Sequence, residues 1–176
     1  MANKLGIVAG GGKLPGRIIE ACKKHGREFY VIAIEGQADT AVIGDNPHTW
    51  IRLGAGQKAL DVARRENFDE IVMVGPVKRP SIVALRPDML AAKVLARAGA
   101  TSVMGDDGLL KAVIAQIEEF GFNVIGPEIF LKEGPDKKGV LGRCSPDASA
   151  RTDIERGIQI LNTLGPVDVG QAVIVQ

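Results

Sequence analysis

Cysteine is nearly absent from this 176-residue chain, which has only Cys22 and Cys144. They do not have metal-ligand spacing, and two cysteines make no disulfide framework; a reducing cytoplasm fits best. An excess of one charge is missing too. Lys and Arg number 22 against 21 Asp and Glu, a net charge of +1, which gives no electrostatic argument for nucleic acid as a partner. No apolar run approaches the roughly 20 residues needed to span a bilayer. The N-terminus has no signal-peptide core, since Lys4 is followed by only five residues before a run of glycines. Histidine is confined to His25 and His48, far apart in sequence. Each reads either as a catalytic group or as a surface or strand-end residue. There is no internal repeat and no low-complexity segment. These absences point to a cytoplasmic globular protein and leave peripheral membrane contact open.

Among what is present, hydrophobic residues make up 45% and charged residues 24%, ordinary for a globular domain. The length suits one complete domain, or one domain and part of another. The chain is organised around its start. Leu5, Ile7 and Val8, closed by Ala9, read as a short strand buried on both faces, as in a parallel sheet. Gly10-Gly11-Gly12 then turns the chain, and Pro15 sits where a helix begins. Glycines between a strand and a helix N-terminus expose N–H groups with no Cβ in the way. The helix dipole adds positive charge there, so the loop suits phosphate. The plainer reading is a tight βα turn. A dinucleotide fingerprint wants a third glycine where Pro15 stands, although Glu35 lies about where a ribose-binding acid would.

Further along, Leu14, Ile18 and Cys22 recur at helical spacing up to Gly26. Phe29–Ile34 is a second strand, completing a βαβ unit, and Gly36–Pro47 reads as a polar loop. A third strand, His48–Leu53, leads into a helix carrying Leu60 and Ala63. The fourth strand, Glu70–Val74, ends at Gly75-Pro-Val-Lys-Arg-Pro80. Ligands of open α/β sheets bind at the carboxyl ends of strands, so this loop and Gly10–Gly12 are expected to face one crevice. Arg79 there is either a phosphate contact or a solvated side chain. Ser81–Gly99 reads as helical with an interruption at Arg86-Pro87. Another helix follows, with Leu110, Val113, Ile114, Ile117 and Phe120 on its apolar face. Asp106 is a natural N-cap for it, or with Asp107 a candidate Mg²⁺ ligand. Phe122–Ile125 is a fifth strand, ending at Gly126. The expected architecture is an α/β Rossmann-like parallel sheet with flanking helices over residues 1–131. A turn-rich linker over 132–140 precedes an incomplete second domain over 141–176. That domain has a helix with Ile154, Ile158 and Leu161 on one face, and a last apolar strand, Gly170–Val175. Their combined apolar surface predicts packing on the first domain or on a second copy, hence a homodimer.

Five stretches occur together, in order and at characteristic spacing. They are Leu5–Pro15, Gly75–Pro80, Gly105-Asp-Asp107, Leu141-Gly-Arg-Cys-Ser-Pro146 and Asp168-Val-Gly-Gln171. In these the chain resembles the UDP-2,3-diacylglucosamine pyrophosphatases of the LpxI type, lipid A pathway enzymes of Gram-negative bacteria. The resemblance spans the whole chain. It implies a Rossmann-like N-terminal half, a distinct C-terminal half, and a Mg²⁺-dependent hydrolysis at the α-phosphorus that yields UMP and lipid X. It carries over, as substrate contacts, Gly11, Gly12 and Lys13 in the first loop, Gly75 and Pro76 in the second, and Gly126 at a strand end. On the C-terminal side it carries over Arg143 and Gln171. Family members continue past Gln176, and the resemblance puts the catalytic acids in that continuation, so residues 1–176 alone are expected to be inactive. The expected localisation is cytoplasmic, with peripheral contact at the inner membrane as the alternative.

Two readings from other classes stand beside it. One is the dinucleotide-binding domain of an oxidoreductase, resting on Gly10–Gly12 and Glu35. Pro15 and the lack of an acid–base pair count against that one. The other is a binding module without chemistry.

Overall fold

A computed structural model describes residues 4–78, 85–100, 106–131, 140, 142–164 and 172–175. The chain divides into two compact units, Met1–Glu133 and Gly134–Gln176.

The first unit is built on β1 (Leu5–Ala9), β2 (Phe29–Ile34), β3 (His48–Ile51), β4 (Glu70–Val74) and β5 (Asn123–Ile125). They form one sheet in the order β3-β2-β1-β4-β5, and every pairing is parallel. Helices α1 (Leu14–Lys24), α2 (Thr40–Ile43), α3 (Gly56–Arg65), α4 (Met89–Ala100), α5 (Asp106–Glu119) and α6 (Glu128–Leu131) connect or follow the strands. The unit is therefore a Rossmann-like α/β fold with β1 at its centre. In register, Ile7 pairs with Val31 on one side and Val72 on the other.

Two apolar layers cover the two faces of the sheet. One joins Leu5, Ile7 and Ala9 to Ile18, Ile19 and Cys22 of α1, with Val31, Ala33, Val72 and Val74. The other joins Ile32, Ile34 and Ile51 to Val62 and Ala63 of α3, with Phe68 and Ile71. Full burial of a Leu or Ile side chain is worth about 1.5–3 kcal/mol, and Leu5, Ile7 and Ile18 are wholly buried. Gly6 has a packing reason: a Cβ there would strike the Phe68 ring.

Several local expectations change. The stretch read as a polar loop after β2 contains α2, started by Asp39, whose Oδ1 accepts from Ala41 N at 2.9 Å. β3 ends at Ile51 rather than Leu53, and β5 begins at Asn123 rather than Phe122. In both cases the register of the neighbouring strand offers no further partner. α5 has a mixed inner face: Leu110 is 48% exposed while Gln116 is buried. Gln116 is accommodated because Arg97 Nη1 donates to its Oε1 at 3.1 Å and its own Nε2 donates to Glu119 at 3.0 Å. The break expected at Arg86-Pro87 is present, with Arg86 at φ +43. Residues 81–84, called helical with it, lie outside the described residues, as does most of the 132–140 linker.

In the second unit α7 spans Ala148–Leu164, and Asp147 Oδ1 caps it by accepting from Ala150 N at 2.8 Å. The apolar face is not where periodicity placed it: Ile154 and Ile158 are about half exposed. The buried position is Gly157, where a Cβ would lie 3.2 Å from Val173 and 3.5 Å from Val175. Residues 172–175 were expected to be a strand. They alternate in and out against α7 but carry no strand pairing, because a strand needs a partner for its N–H and C=O groups.

Candidate functional site

The strand order reverses between β1 and β4, so the topological switch point lies where both strands end. The loops leaving them, 10–13 and 75–78, meet there in main-chain contact. Gly10 N donates to Val74 O and Gly11 N to Pro76 O, both at 2.8 Å. A Cβ on Gly10 would lie 2.7 Å from the carbonyl oxygens of Gly75 and Pro76. Gly75 itself has φ +89, and a Cβ there would collide with Gly11 O. The two loops thus form one continuous surface rather than the walls of a crevice, and the N–H of Gly11 is spent inside it.

What remains open is the N-terminus of α1. Gly12 is exposed at φ +76, and among the described residues only Pro76 lies near a hypothetical Cβ, at 3.7 Å. Lys13 is the N-cap residue and makes no side-chain cap bond; no acid lies in the first turn. Among the described residues no acceptor faces the N–H of Gly12 or Lys13. Other helices are closed by the protein's own carboxylates. Asp88 caps two at once, accepting from Gln57 N of α3 at 2.7 Å and from Ala91 N of α4 at 2.8 Å. An uncapped N-terminus with partial positive charge, a lysine and exposed glycine backbone attracts an anion. Lys78, also exposed, lies in the neighbouring loop.

The remaining sequence candidates fall elsewhere. Gly126 follows β5 at the same edge of the sheet, but the Glu128 carboxylate lies over it, unfavourable for an anion. Asp106 and Asp107 are the first two residues of α5, so Asp106 falls inside the helix rather than at its cap; their side chains lie outside the described set. Arg79 and Gln171 lie outside the described residues as well. Arg143 is an exposed residue of the second unit. Glu35, the ribose-binding candidate, is exposed just past β2. His25 caps the C-terminus of α1 and His48 opens β3, both at the opposite edge of the sheet. The His48 ring is held there by Asn46 O at 2.7 Å. The sequence reading passed over Gln37, Arg52 and Asp88, side chains that tie loops together at the strand-end edge. A polar residue in a turn carries no signal of what it reaches across the fold.

Among the described residues no three His, Cys, Asp or Glu side chains converge as a metal ion requires. No helix among them is long and apolar enough to cross a membrane. Burial pushes the Cys22 thiol up, against a smaller downward pull from Arg27, so this thiol is inert. Shifted carboxylates lie away from the strand ends. A hydrogen bond from Lys4 Nζ at 2.9 Å holds Glu66 below the usual range, and Arg97 does the same for Glu119.

Comparison with known proteins adds a family to this geometry. Residues 4–134 match the model of the LpxI N-terminal domain and residues 137–176 that of the LpxI C-terminal domain. A protein of Caulobacter vibrioides, UDP-2,3-diacylglucosamine pyrophosphatase LpxI, is 33% identical over 172 residues. That match covers 98% of this chain and 61% of the relative, so the chain spans about three fifths of the relative's length. Among solved structures, a UDP-glucose 4-epimerase of Stenotrophomonas maltophila aligns with 94% of this chain and 49% of its own, at 10% identity and TM-score 0.47. The Bordetella bronchiseptica enzyme WbmG aligns with 69% of this chain and 36% of its own, at 17% identity and TM-score 0.44. With both domain models matched in order across nearly its whole length, the chain belongs to the LpxI family.

Proposed function

We propose that this chain is the substrate-binding portion of a UDP-2,3-diacylglucosamine pyrophosphatase, a lipid A pathway hydrolase releasing lipid X and UMP. The observation that carries this reading is the uncapped N-terminus of α1, set at the switch point in a chain of this family. The N–H groups of Gly12 and Lys13, with the Lys13 ammonium, would take a phosphate of the substrate. Donors fixed before the ligand arrives stabilise phosphoryl charge without reorganising. Gly11, Gly75 and Pro76 serve this site by shaping the surface rather than by donating to the ligand. Gly126, Arg143 and Gln171 remain proposed contacts from family resemblance. Mg²⁺ belongs to the same proposal, but the described side chains provide no donor set for it. A cytoplasmic location, peripheral contact with the inner membrane and a homodimer complete the reading.

Calorimetric titration of the chain with lipid X and with NAD⁺ tests it. Lipid X is expected to bind and NAD⁺ not to. Lys13→Glu is expected to weaken lipid X by at least about tenfold, the loss of one charge-assisted contact, with the fold unchanged. Tight NAD⁺ binding without lipid X binding would overturn the proposal in favour of a dinucleotide-binding domain.

A further inference from the structure

The loop after β2 joins the strand-end surface through one side chain. Gln37 is half-buried, and its amide pairs both ways with the main chain of Lys78. Lys78 N donates to Gln37 Oε1 at 2.9 Å, and Gln37 Nε2 donates to Lys78 O at 3.3 Å. One side chain thereby supplies the donor and acceptor that a neighbouring strand would offer beyond the end of β4. Gln37 is itself anchored, its own N donating to Ile34 O at 3.1 Å. The link passes beside the glycine loop. A Cβ on Gly11 would lie 3.1 Å from Gln37 O and 3.4 Å from Pro76 O, so Gly11 is held between the two loops that Gln37 ties together.

Among the described residues, the segment so tied has few other polar links. Pro76, Val77 and Lys78 are all exposed, Val77 at 43%, so apolar burial fixes them only in part. Gly11 N to Pro76 O is the one other hydrogen bond that these three make among the described residues. Among the described residues, two of the three hydrogen bonds made by Pro76, Val77 and Lys78 therefore run through Gln37.

We infer that Gln37 is a positioning residue of the strand-end site, locking the 76–78 turn against the glycine loop so that the phosphate-binding surface is shaped before ligand arrives. It acts through Lys78 and Gly11 and does not itself touch the phosphate. The clamp stands on geometry alone; its ligand rests on the proposed function. Binding to a preshaped surface avoids the ordering cost that a loose loop would add.

The test uses the ¹⁵N-labelled 176-residue chain with Gln37→Met, which keeps length and removes both bonds, and Gln37→Glu, which keeps the acceptor. Amide hydrogen exchange at Lys78 reads the clamp. Titration with inorganic pyrophosphate, followed at the amides of Gly12 and Lys13, reads its consequence. With Gln37→Met, Lys78 exchange is expected to rise at least about tenfold and pyrophosphate affinity to fall by a similar factor, as two lost hydrogen bonds imply. The melting temperature should stay near that of the wild type. With Gln37→Glu, Lys78 protection is expected to be largely retained. Unchanged Lys78 exchange in Gln37→Met overturns the clamp. Faster exchange with unchanged pyrophosphate affinity overturns the positioning role. If wild type does not bind pyrophosphate at Gly12 and Lys13, the phosphate reading falls and the positioning role with it, while the exchange result still decides the clamp.

Discussion

Two helices of the first unit begin at the same edge of the sheet, each after a strand and a glycine-containing turn, and end up in opposite states. α3 follows β3, and its first turn donates to the Asp88 carboxylate, brought from 31 residues away in sequence. α1 follows β1, has Lys13 at its N-cap, and has neither a capping side chain nor an acid in its first turn. Both helices have the same unmet backbone donors and the same dipole. The difference lies in where the balancing charge comes from. At α3 the protein supplies it and the site is filled; at α1 no described residue supplies it. Stability and binding use the same local chemistry here, and the location of one carboxylate separates them.

The largest expected effect tests the surface beside the open end. Gly75→Ala forces a side chain onto φ +89 and against Gly11 O. Strain and overpacking together should cost about 3 kcal/mol, measured by urea unfolding. A variant as stable as wild type would show that the contact between the two loops is slack. Next, Asp88→Ala removes the caps of α3 and α4 together. A loss of about 2 kcal/mol is expected, since each cap is worth about 1 kcal/mol. It should also make α3 resemble α1, so added sulfate should recover more stability in this variant than in wild type. Equal response to sulfate would mean that the charge on Asp88 is not what fills the site.

The smallest effect contrasts the open edge with the opposite one, where Lys4 and Glu66 pair. The folded pKa of Glu66 is lowered, so the stability it adds is present above the ordinary carboxylate range. It is lost as pH falls through the lowered value. Lys4→Met should therefore reduce stability at neutral pH and have progressively less effect below about pH 4.5, near the ordinary glutamate value. The pair is partly exposed, so the effect is small. A Lys4→Met loss that stays constant down to acid pH would assign its role to packing over the Tyr30 ring.

Much of the first unit was legible because its cues are local. Apolar runs at Leu5–Ala9, Phe29–Ile34 and Glu70–Val74 are strands for the reason they read as strands, burial on both faces. Pro15 and the glycines before it mark the start of α1 as they should. The second unit was less legible. Ile154 and Ile158 fit a helical stripe, yet the residue in contact is Gly157, which has no side chain for periodicity to count. Residues 172–175 have strand composition without a paired neighbour, and pairing is a property of two segments.

By itself, the sequence determined the order of the first unit's main strands and helices, their parallel arrangement, and the glycine turn that leaves α1 exposed. Its motifs also pointed to the family. These follow from hydrophobic period, turn chemistry and capping, which act over a few residues. Tertiary structure decided that Gly10 and Gly75 touch, that Asp88 fills the ends of α3 and α4 but not that of α1, and that Gln37 ties Lys78 to the glycine loop. Apart from the α4 cap, those contacts join residues 31 to 65 positions apart. Only the folded sheet brings such residues together, and local sequence pattern carries no record of it.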